Sequence, residues 1–236
     1  MKPKKIVWLY ALILLVLSFQ GCKKDTTDDP GDIVGDTVID IDGNVYQKIT
    51  IGTQTWMVEN LRTTKYRNGD SIPEATDSAA WRKLSSGAFC DDNSITNYAD
   101  TYGHLYNWFA VNDARKIAPP GWHVAKDSDW ATLNDFLGGW EVAGGKMKET
   151  GTSHWLNPNT DATNEYGFKA LPGGFRYADG RFVGVANTGK FGYWWTTAEK
   201  DAASAWFRGI TCVSPFFGRE SVSKNYGLSV RCVMDK

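Results

Sequence analysis

Apolar and polar residues alternate along the chain from residue 38 to residue 61, and this alternation predicts β-strands. The segment reads VIDIDGNVYQKITIGTQTWMVENL, with turn-forming residues at Asp42, Gly43 and Asn44 and again at Gly52 and Thr53. Side chains of a strand point in turn to the two faces of a sheet, so a period of two between turns is typical of a β-meander. We expect short antiparallel strands here.

Two segments in the middle of the chain place apolar residues at helical spacing. In the first, YGHLYNWFAVNDA, these residues are Leu105, Trp108 and Phe109. In the second, DSDWATLNDFLGG, they are Trp130, Leu133, Phe136 and Leu137. Asp127 or Ser128 can cap the start of the second segment, and Gly138 and Gly139 can end it. The spacing predicts two helices of about ten residues each.

From Gly167 onward the pattern returns to strands, which Gly and Asn residues separate at nearly every joint. Strands, then two helices, then strands is the order of an α+β domain, not of alternating βαβ units. The chain shows no internal repeat, so we expect one domain over residues 38–236, with short antiparallel sheets, two helices and long ordered loops.

Adjacent aromatic residues in the strand-like segment FGYWWTT, residues 191–197, raise a specific question. Trp194 and Trp195 must point to opposite faces of a sheet, so they cannot both fill one core. Either both faces are covered, or one face carries exposed aromatic side chains for a ligand. We assign Trp195 to the core, and we leave open whether Trp194 is covered. The residues that we expect to contact a ligand are Trp194, Trp206, Arg208 and Arg231. In the last strand, Arg231 points away from the buried side, so it needs a polar partner or water.

The composition limits the classes of function. The chain of 236 residues has a formal net charge of −1, so no basic surface for nucleic acid is expected. His104, His123 and His154 lie far apart in the sequence and are interpreted as structural, and no Gly-x-Ser-x-Gly segment indicates a serine nucleophile. The sequence predicts no cofactor, no metal site and no catalytic residue. Calcium in the acidic segment 90–100 stays an open alternative.

The N-terminus has the features of a secretory signal. MKPKK is followed by the apolar run IVWLYALILLVLSF and then by Gln20, Gly21 and Cys22. Residues 1–21 therefore read as a signal peptide. The position of Cys22 resembles that of the lipid-modified cysteine of a bacterial lipoprotein, while an ordinary secretory signal with an incidental cysteine is the alternative. Residues 22–37 are polar and acidic and read as a flexible tether.

Lipid on Cys22 would make the membrane a partner of this protein. The tether opens with Lys followed by acidic residues, which resembles the signal that sends some Bacteroidota lipoproteins to the outer cell surface. We therefore expect an outer membrane lipoprotein that is exposed on the cell surface.

Six motifs occur along the mature chain in a fixed order: TWMVENLRTTKYRNGDSIP, YGHLYNWFAVNDARKIAPPGWHVAKDSDWATLNDFLGG, GGKMKETG, ATNEYGFKALPGGFR, GYWWTTAEKDAASAWFRGI and YGLSVRCV. In this order they resemble the Fibrobacter succinogenes major paralogous domain. The resemblance implies a C-type-lectin-like fold that is related to the formylglycine-generating enzymes, and it implies no particular activity. It also implies a disulfide between Cys90 and Cys232, which would leave Cys212 free. We interpret Cys212 as a small buried apolar residue and not as a reactive thiol.

These observations lead to a ranked set of functions. The first is a non-catalytic recognition or adhesion domain, with a glycan as the preferred ligand and a protein as the second. The alternative is a structural surface protein whose aromatic side chains all lie in the core. An enzyme related to the formylglycine-generating enzymes is third, because the residues around Cys212, RGITCVSPF, do not match that active site.

Overall fold

The computed structural model describes residues 37–92, 95–183 and 188–236. These residues belong to one compact unit of the chain, Gly31–Lys236. The predicted signal peptide, Cys22 and nearly all of the tether lie outside the described residues. Among the residues described, none of the helices has the length and apolar character that a membrane crossing requires.

The alternating segment near the N-terminus forms most of a five-stranded sheet, as predicted. β2 and β3 make a hairpin in which Ile51 pairs with Gln54, and neighbouring strands throughout this sheet are antiparallel. The last strand of the chain inserts between β3 and β6. In spatial order the strands are β1 (Thr37–Ile39), β2 (Val45–Ile51), β3 (Gln54–Met57), β10 (Cys232–Met234) and β6 (Trp122–Val124).

A three-stranded antiparallel sheet carries the adjacent tryptophans. It consists of β7 (Phe191–Glu199), β8 (Ser204–Thr211) and β9 (Ser214–Ser223). Trp194 pairs with Arg208 and Trp195 with Phe207. A third, two-stranded sheet joins β4 (Phe89–Cys90) to β5 (Leu105–Tyr106).

Helices are few and mostly a single turn. They are α1 (Ser78–Trp81), α2 (Tyr98–Tyr102), α3 (Trp108–Val111), α4 (Asp127–Phe136) and α5 (Ala143–Met147). The predicted second helix is confirmed as α4, but its cap lies one residue earlier than predicted. Lys126 is the capping residue, and its backbone N–H donates to the Asp129 carboxylate at 2.8 Å. Together with small antiparallel sheets, these helices make an α+β domain.

The predicted first helix is wrong. Its residues form β5 and the short helix α3 instead, because β5 pairs with a distant part of the chain. The backbones of Tyr106 and Leu228 exchange two hydrogen bonds, of 2.9 and 3.0 Å. The Asn107 side chain then accepts the N–H of Ala110 at 3.0 Å and starts α3. Helical spacing in the sequence is outweighed here by a long-range strand pair.

At Trp194 and Trp195 the three-stranded sheet is covered on both faces, which answers the question raised by these two residues. Trp195 and Phe207 point into one core, and Trp194 with Ile210 points into another. The ring of Trp130 on α4 lies 6.1 Å from that of Trp194, so α4 covers this face. Neither tryptophan has any exposed surface. The prediction of a core position for Trp195 is confirmed.

The disulfide implied by the resemblance is absent, since Cys90, Cys212 and Cys232 are free thiols. Cys90 and Cys232 belong to different sheets and to different buried clusters, so their side chains do not meet. Burial raises the pKa of the Cys90 thiol to about 12, and it raises the pKa of Cys232 as well. A buried, protonated thiol is unreactive. Cys212 is buried too, as predicted.

Candidate ligand-binding site

Two of the four residues expected to contact a ligand, Trp194 and Arg231, meet at one buried side chain. The Trp194 indole N–H donates to Asn60 Oδ1 at 2.8 Å, and Arg231 Nε donates to the same oxygen at 3.1 Å. The amide of Asn60 donates in turn to the carbonyl of Tyr102 at 2.7 Å. Because Trp194 is fully buried, its ring cannot stack on a ligand. The expectation for Trp194 is therefore corrected: it is a core residue.

Arg231 is 1% exposed, and main-chain carbonyls hold it in place. Its Nη1 donates to the carbonyls of Met57 and Phe168, at 2.9 and 3.0 Å, and also to that of Val58. The guanidinium carbon lies 4.4 Å from the centre of the Phe168 ring. Burial lowers the pKa of Arg231 to about 9, so the side chain is still cationic at neutral pH. Arg231 therefore holds main-chain carbonyls in place, and these carbonyls are the polar partners that it was expected to need.

The other two expected residues, Trp206 and Arg208, lie on the same face of β8, and both side chains are engaged by charged neighbours. The guanidinium of Arg219 lies 3.6 Å from the centre of the Trp206 ring, and the Lys200 ammonium lies 5.5 Å from it. A sugar could stack on Trp206 only by displacing these cations. Trp206 is partly exposed, so it remains a weaker candidate for ligand contact.

Arg208 is used to fasten α4 to the three-stranded sheet. Its Nε and Nη2 donate to Asp127 Oδ1 at 3.2 and 2.9 Å, and Arg219 Nε donates to Asp127 Oδ2 at 2.9 Å. Asp127 is the first residue of α4, where a carboxylate also favours the helix dipole. The charge of Arg208 is thereby compensated within the domain.

An exposed aromatic pair lies on a part of the surface that the sequence analysis did not single out. Trp140 and Phe216 are 56% and 49% exposed, and their ring centres are 5.1 Å apart in an edge-to-face arrangement. The backbone N–H of Phe217 donates to the Trp140 carbonyl at 2.8 Å, which joins the two segments. Val142 and Val213, both exposed, lie beside them in sequence. We call Trp140, Val142, Val213 and Phe216 the Trp140 patch.

One sequence signal for this patch was available. Phe216 and Phe217 are adjacent in β9, so they point to opposite faces, as Trp194 and Trp195 do. Phe217 is buried and Phe216 is exposed. Trp140 gave no such signal, because it follows the glycines that end α4, where no periodic pattern applies.

Each histidine is paired with a carboxylate, and a structural role for the three histidines stays a prediction. His104 lies 2.6 Å from Asp91, and His154 lies 2.6 Å from Glu149. His123 lies between two acids, 2.9 Å from Asp129 and 2.7 Å from Asp235. Residues 93 and 94 of the acidic segment are outside the described residues, so the calcium alternative for that segment stays open.

A buried lysine lies beside the hairpin turn that contains Cys212. Lys148 Nζ donates to the carbonyls of Thr160, Thr211 and Ser214, at 2.7, 3.1 and 3.0 Å. Burial lowers the pKa of this ammonium to about 8. All three of its protons are used, so the side chain holds the turn in place.

A family model, the Fibrobacter succinogenes major domain, matches residues 49–234. The chain belongs to this family. The match lies within the predicted domain, residues 38–236, and extends from within β2 to β10. It includes the whole three-stranded sheet and all of the five-stranded sheet except β1 and the start of β2. A search of curated proteins found no match, and neither did a search of solved structures.

Three motifs of the Fibrobacter succinogenes major domain meet at Asn60. TWMVENLR supplies Asn60 itself, GYWW supplies Trp194, and LSVRC supplies Arg231. The three motifs lie far apart in the sequence, and their hydrogen bonds join β7, the end of the chain and the segment after β3. At this point the family motifs therefore build the core and not an exposed surface.

Proposed function

We propose that this chain is a lipid-anchored protein of the cell envelope whose domain recognises a glycan without catalysis. The observation that carries this proposal is the exposed pair of Trp140 and Phe216. Aromatic rings with one open face contribute apolar contact area to a sugar ring while the surrounding backbone and side chains supply polar groups. A C-type-lectin-like arrangement of small sheets and ordered loops, as the family resemblance implies, is part of the proposal.

The size of the Trp140 patch favours a small ligand over a protein partner. The patch has four apolar side chains, whereas a stable protein interface uses about 20–30 residues on each side. The edge-to-face geometry leaves part of each ring open to solvent, so a single sugar unit can contact both rings. A protein partner remains the second choice of ligand.

A glycan array tests this proposal. The detergent-solubilised full chain is compared with Trp140→Ala and with the control Phe136→Ala, which removes another exposed aromatic ring. We expect hits that Trp140→Ala abolishes and Phe136→Ala retains. No hits, or equal loss in the two variants, would contradict glycan binding by the patch.

A structural surface protein is the second candidate function, and the burial of the tryptophans favours it. Ten tryptophans fall within the described residues; Trp140 is exposed and Trp206 is partly exposed. The other eight are buried: Trp56, Trp81, Trp108, Trp122, Trp130, Trp155, Trp194 and Trp195. Most of the aromatic content thus serves the core. A structural role predicts an empty array together with weakened envelope integrity when the protein is removed from cells.

An enzyme remains the third hypothesis, and Cys212 with Lys148 is where its chemistry would have to lie. Lys148 already donates to three carbonyls, so this neighbourhood favours a structural use of the lysine. A screen for cysteine-dependent oxidation, with Cys212→Ser as the comparison, tests the hypothesis directly.

The membrane anchor is proposed from Cys22, and metabolic labelling with palmitate tests it. We expect label in the parent protein and none in Cys22→Ser, which should also leave the membrane fraction. Proteinase treatment of intact cells then tests exposure on the outer surface. Label that persists in Cys22→Ser would contradict lipid attachment at this residue.

A further inference from the structure

A cleft of about 340 Å³ opens above Arg231, on a part of the surface separate from the Trp140 patch. Arg231 and Asn60 are both buried and contribute to its lining. Arg62, His154 and Lys169 also line the cleft, and each is partly or fully exposed. The cleft therefore has a buried, polar floor and a rim that carries basic side chains.

One nitrogen of Arg231 has no hydrogen-bond partner in the part of the chain that the structure describes. Nε donates to Asn60 and Nη1 donates to three carbonyls, but Nη2 has no acceptor among the described residues. A guanidinium has five N–H donors, and two of them belong to Nη2. Arg231 lines the cleft, and Nη2 is not among the fully buried atoms that lack a partner, so its acceptor comes from solvent or from a ligand in the cleft.

No carboxylate within ion-pair distance neutralises Arg231 in the described part of the chain. The charge of Glu59 favours the charged form of Arg231, but a Glu59 oxygen already accepts the backbone N–H of Gln47 at 2.8 Å. The acids that line the cleft are Glu59 and Asp100, and the lining cations are Arg62, Lys169 and Arg231. Among these five lining residues, three positive and two negative charges leave an excess of one positive charge. Glu149, outside the lining, lies 3.9 Å from Lys169 and 2.6 Å from His154.

The backbone presents Lys169 at the rim in an unusual conformation. Its φ of 52° lies in the left-handed region, which residues with a side chain seldom adopt. The backbone N–H of Lys169 donates to Asn164 Oδ1 at 2.7 Å, which holds this conformation. Its flanking residues, Phe168 and Ala170, are buried, while Lys169 itself is exposed. Strained backbone conformations of this kind cluster at functional sites.

We propose that this cleft binds one small oxyanion, namely a carboxylate, sulfate or phosphate group. One oxygen accepts from Arg231 Nη2 at the floor, and Lys169 and Arg62 supply charge at the rim. Nη1 is fully engaged with carbonyls, so the anion is bound through Nη2 alone and not by a two-nitrogen fork. The group could belong to an acidic sugar or to a free anion, and its binding does not depend on the Trp140 patch.

The test is a titration of the ¹⁵N-labelled full chain in detergent, followed through the Arg231 Nε–H and Trp194 indole N–H signals. The probes are sodium sulfate and methyl glucuronide, with ionic strength held constant by sodium chloride. We expect saturable shifts at these two signals and none at the Trp140 indole. Tighter binding of methyl glucuronide would assign the group to an acidic sugar, and tighter binding of sulfate would assign it to a free anion.

One rim variant and two controls outside the cleft keep the proposal falsifiable even if Arg231→Gln fails to fold. Lys169→Gln should weaken the binding of either probe by about threefold, while Lys83→Gln, the same charge change at an exposed residue elsewhere, should leave it unchanged. Trp140→Ala should also leave it unchanged, which separates this site from the proposed glycan patch. Absent or non-saturable shifts, or equal weakening by Lys169→Gln and Lys83→Gln, would overturn the proposal.

Discussion

Two buried cations, Lys148 and Arg231, are held in the same way but differ in one respect. Both are almost fully buried, and both donate to main-chain carbonyls without a carboxylate within ion-pair distance in the described residues. The Lys148 ammonium uses all three of its protons on the protein. Arg231 leaves one nitrogen open toward a cleft. The first arrangement is closed and structural, whereas the second has a position for an additional acceptor.

The common part of this arrangement follows from the architecture. Small sheets and long loops leave many buried carbonyls without a strand or helix partner, and a buried cation supplies several donors at one point. Arg176 does the same for two further loops, with Nε on Gly180 at 2.8 Å and Nη2 on Thr76 at 2.7 Å. Its guanidinium also lies 4.5 Å from the centre of the Trp81 ring. Carbonyls and aromatic faces together offset the cost of removing these charges from water.

The largest effect is expected for Arg231→Met. This change removes four hydrogen bonds to buried acceptors, at Asn60, Met57, Val58 and Phe168. Asn60 keeps the Trp194 indole as a donor, but the three carbonyls lose the donor that Arg231 supplies. We expect the free energy of unfolding to fall by about 4 kcal/mol, measured by urea denaturation. The control Arg181→Met, at a residue that is mostly exposed, should change it by less than about 0.5 kcal/mol. Similar values for the two variants would show that Arg231 does not hold the backbone.

A smaller effect is expected for Lys148→Met, which removes three hydrogen bonds. At pH 7 we expect the free energy of unfolding to fall by about 2 kcal/mol. Removing the ammonium from water costs free energy, and this cost offsets part of what its hydrogen bonds contribute. The variant also separates the two cations, since Lys148 should leave anion binding at the cleft unchanged. A loss of anion binding in Lys148→Met would remove the distinction between the closed and the open arrangement.

The pH dependence of stability gives a second test of Lys148. Its pKa is about 8 in the folded state, below the ordinary value of 10.5. Between these values the unfolded chain binds the extra proton, so stability rises with pH by up to about 1.4 kcal/mol per unit. The difference between the parent and Lys148→Met should therefore grow from pH 8 to pH 10. A difference that stays constant would show that the carbonyls keep the ammonium charged.

The sequence predicted local helix and strand patterns better than it predicted which side chains are buried by distant segments. The helix α4 was predicted because apolar spacing and end signals agree within one segment. Whether Trp194 is exposed depends on Trp130, which lies more than sixty residues earlier and packs against it through the fold. The same reason explains the failure at β5, where Tyr106 pairs with the distant Leu228. Contacts between distant segments are not encoded in any local period.

The candidate sites show the same limit. The pleat indicated that Arg231 lies on a face that needs polar partners, and this was correct. That those partners are carbonyls and Asn60 could not be read from the sequence, because they come from two segments, around residues 57–60 and at Phe168, that lie far from Arg231 in the chain. Trp140 was missed because it lies in a loop, where exposure follows from the path of the backbone and not from periodicity.

The smallest effect is expected where carboxylates, not carbonyls, hold the cation. His123 lies between Asp129 and Asp235, and its hydrogen bond to Asp129 is the largest cause that raises its pKa above 6.5, while burial and Lys126 act in the opposite direction. Protonated His123 thus contributes stability that is fully present below pH 6.5 and is lost as the pH rises through the raised pKa. This slope has the opposite sign to that of Lys148.

We expect His123→Gln to lower the free energy of unfolding by about 1 kcal/mol at pH 6 and by less at pH 8. Urea denaturation at the two pH values measures this difference, and His154→Gln, at a histidine with a single carboxylate partner, is the matched control. If the loss in His123→Gln were the same at both pH values, the two carboxylates would not be holding a charged imidazole. The comparison of pH dependence would then lose its carboxylate-held cation, and only the carbonyl-held Lys148 would remain.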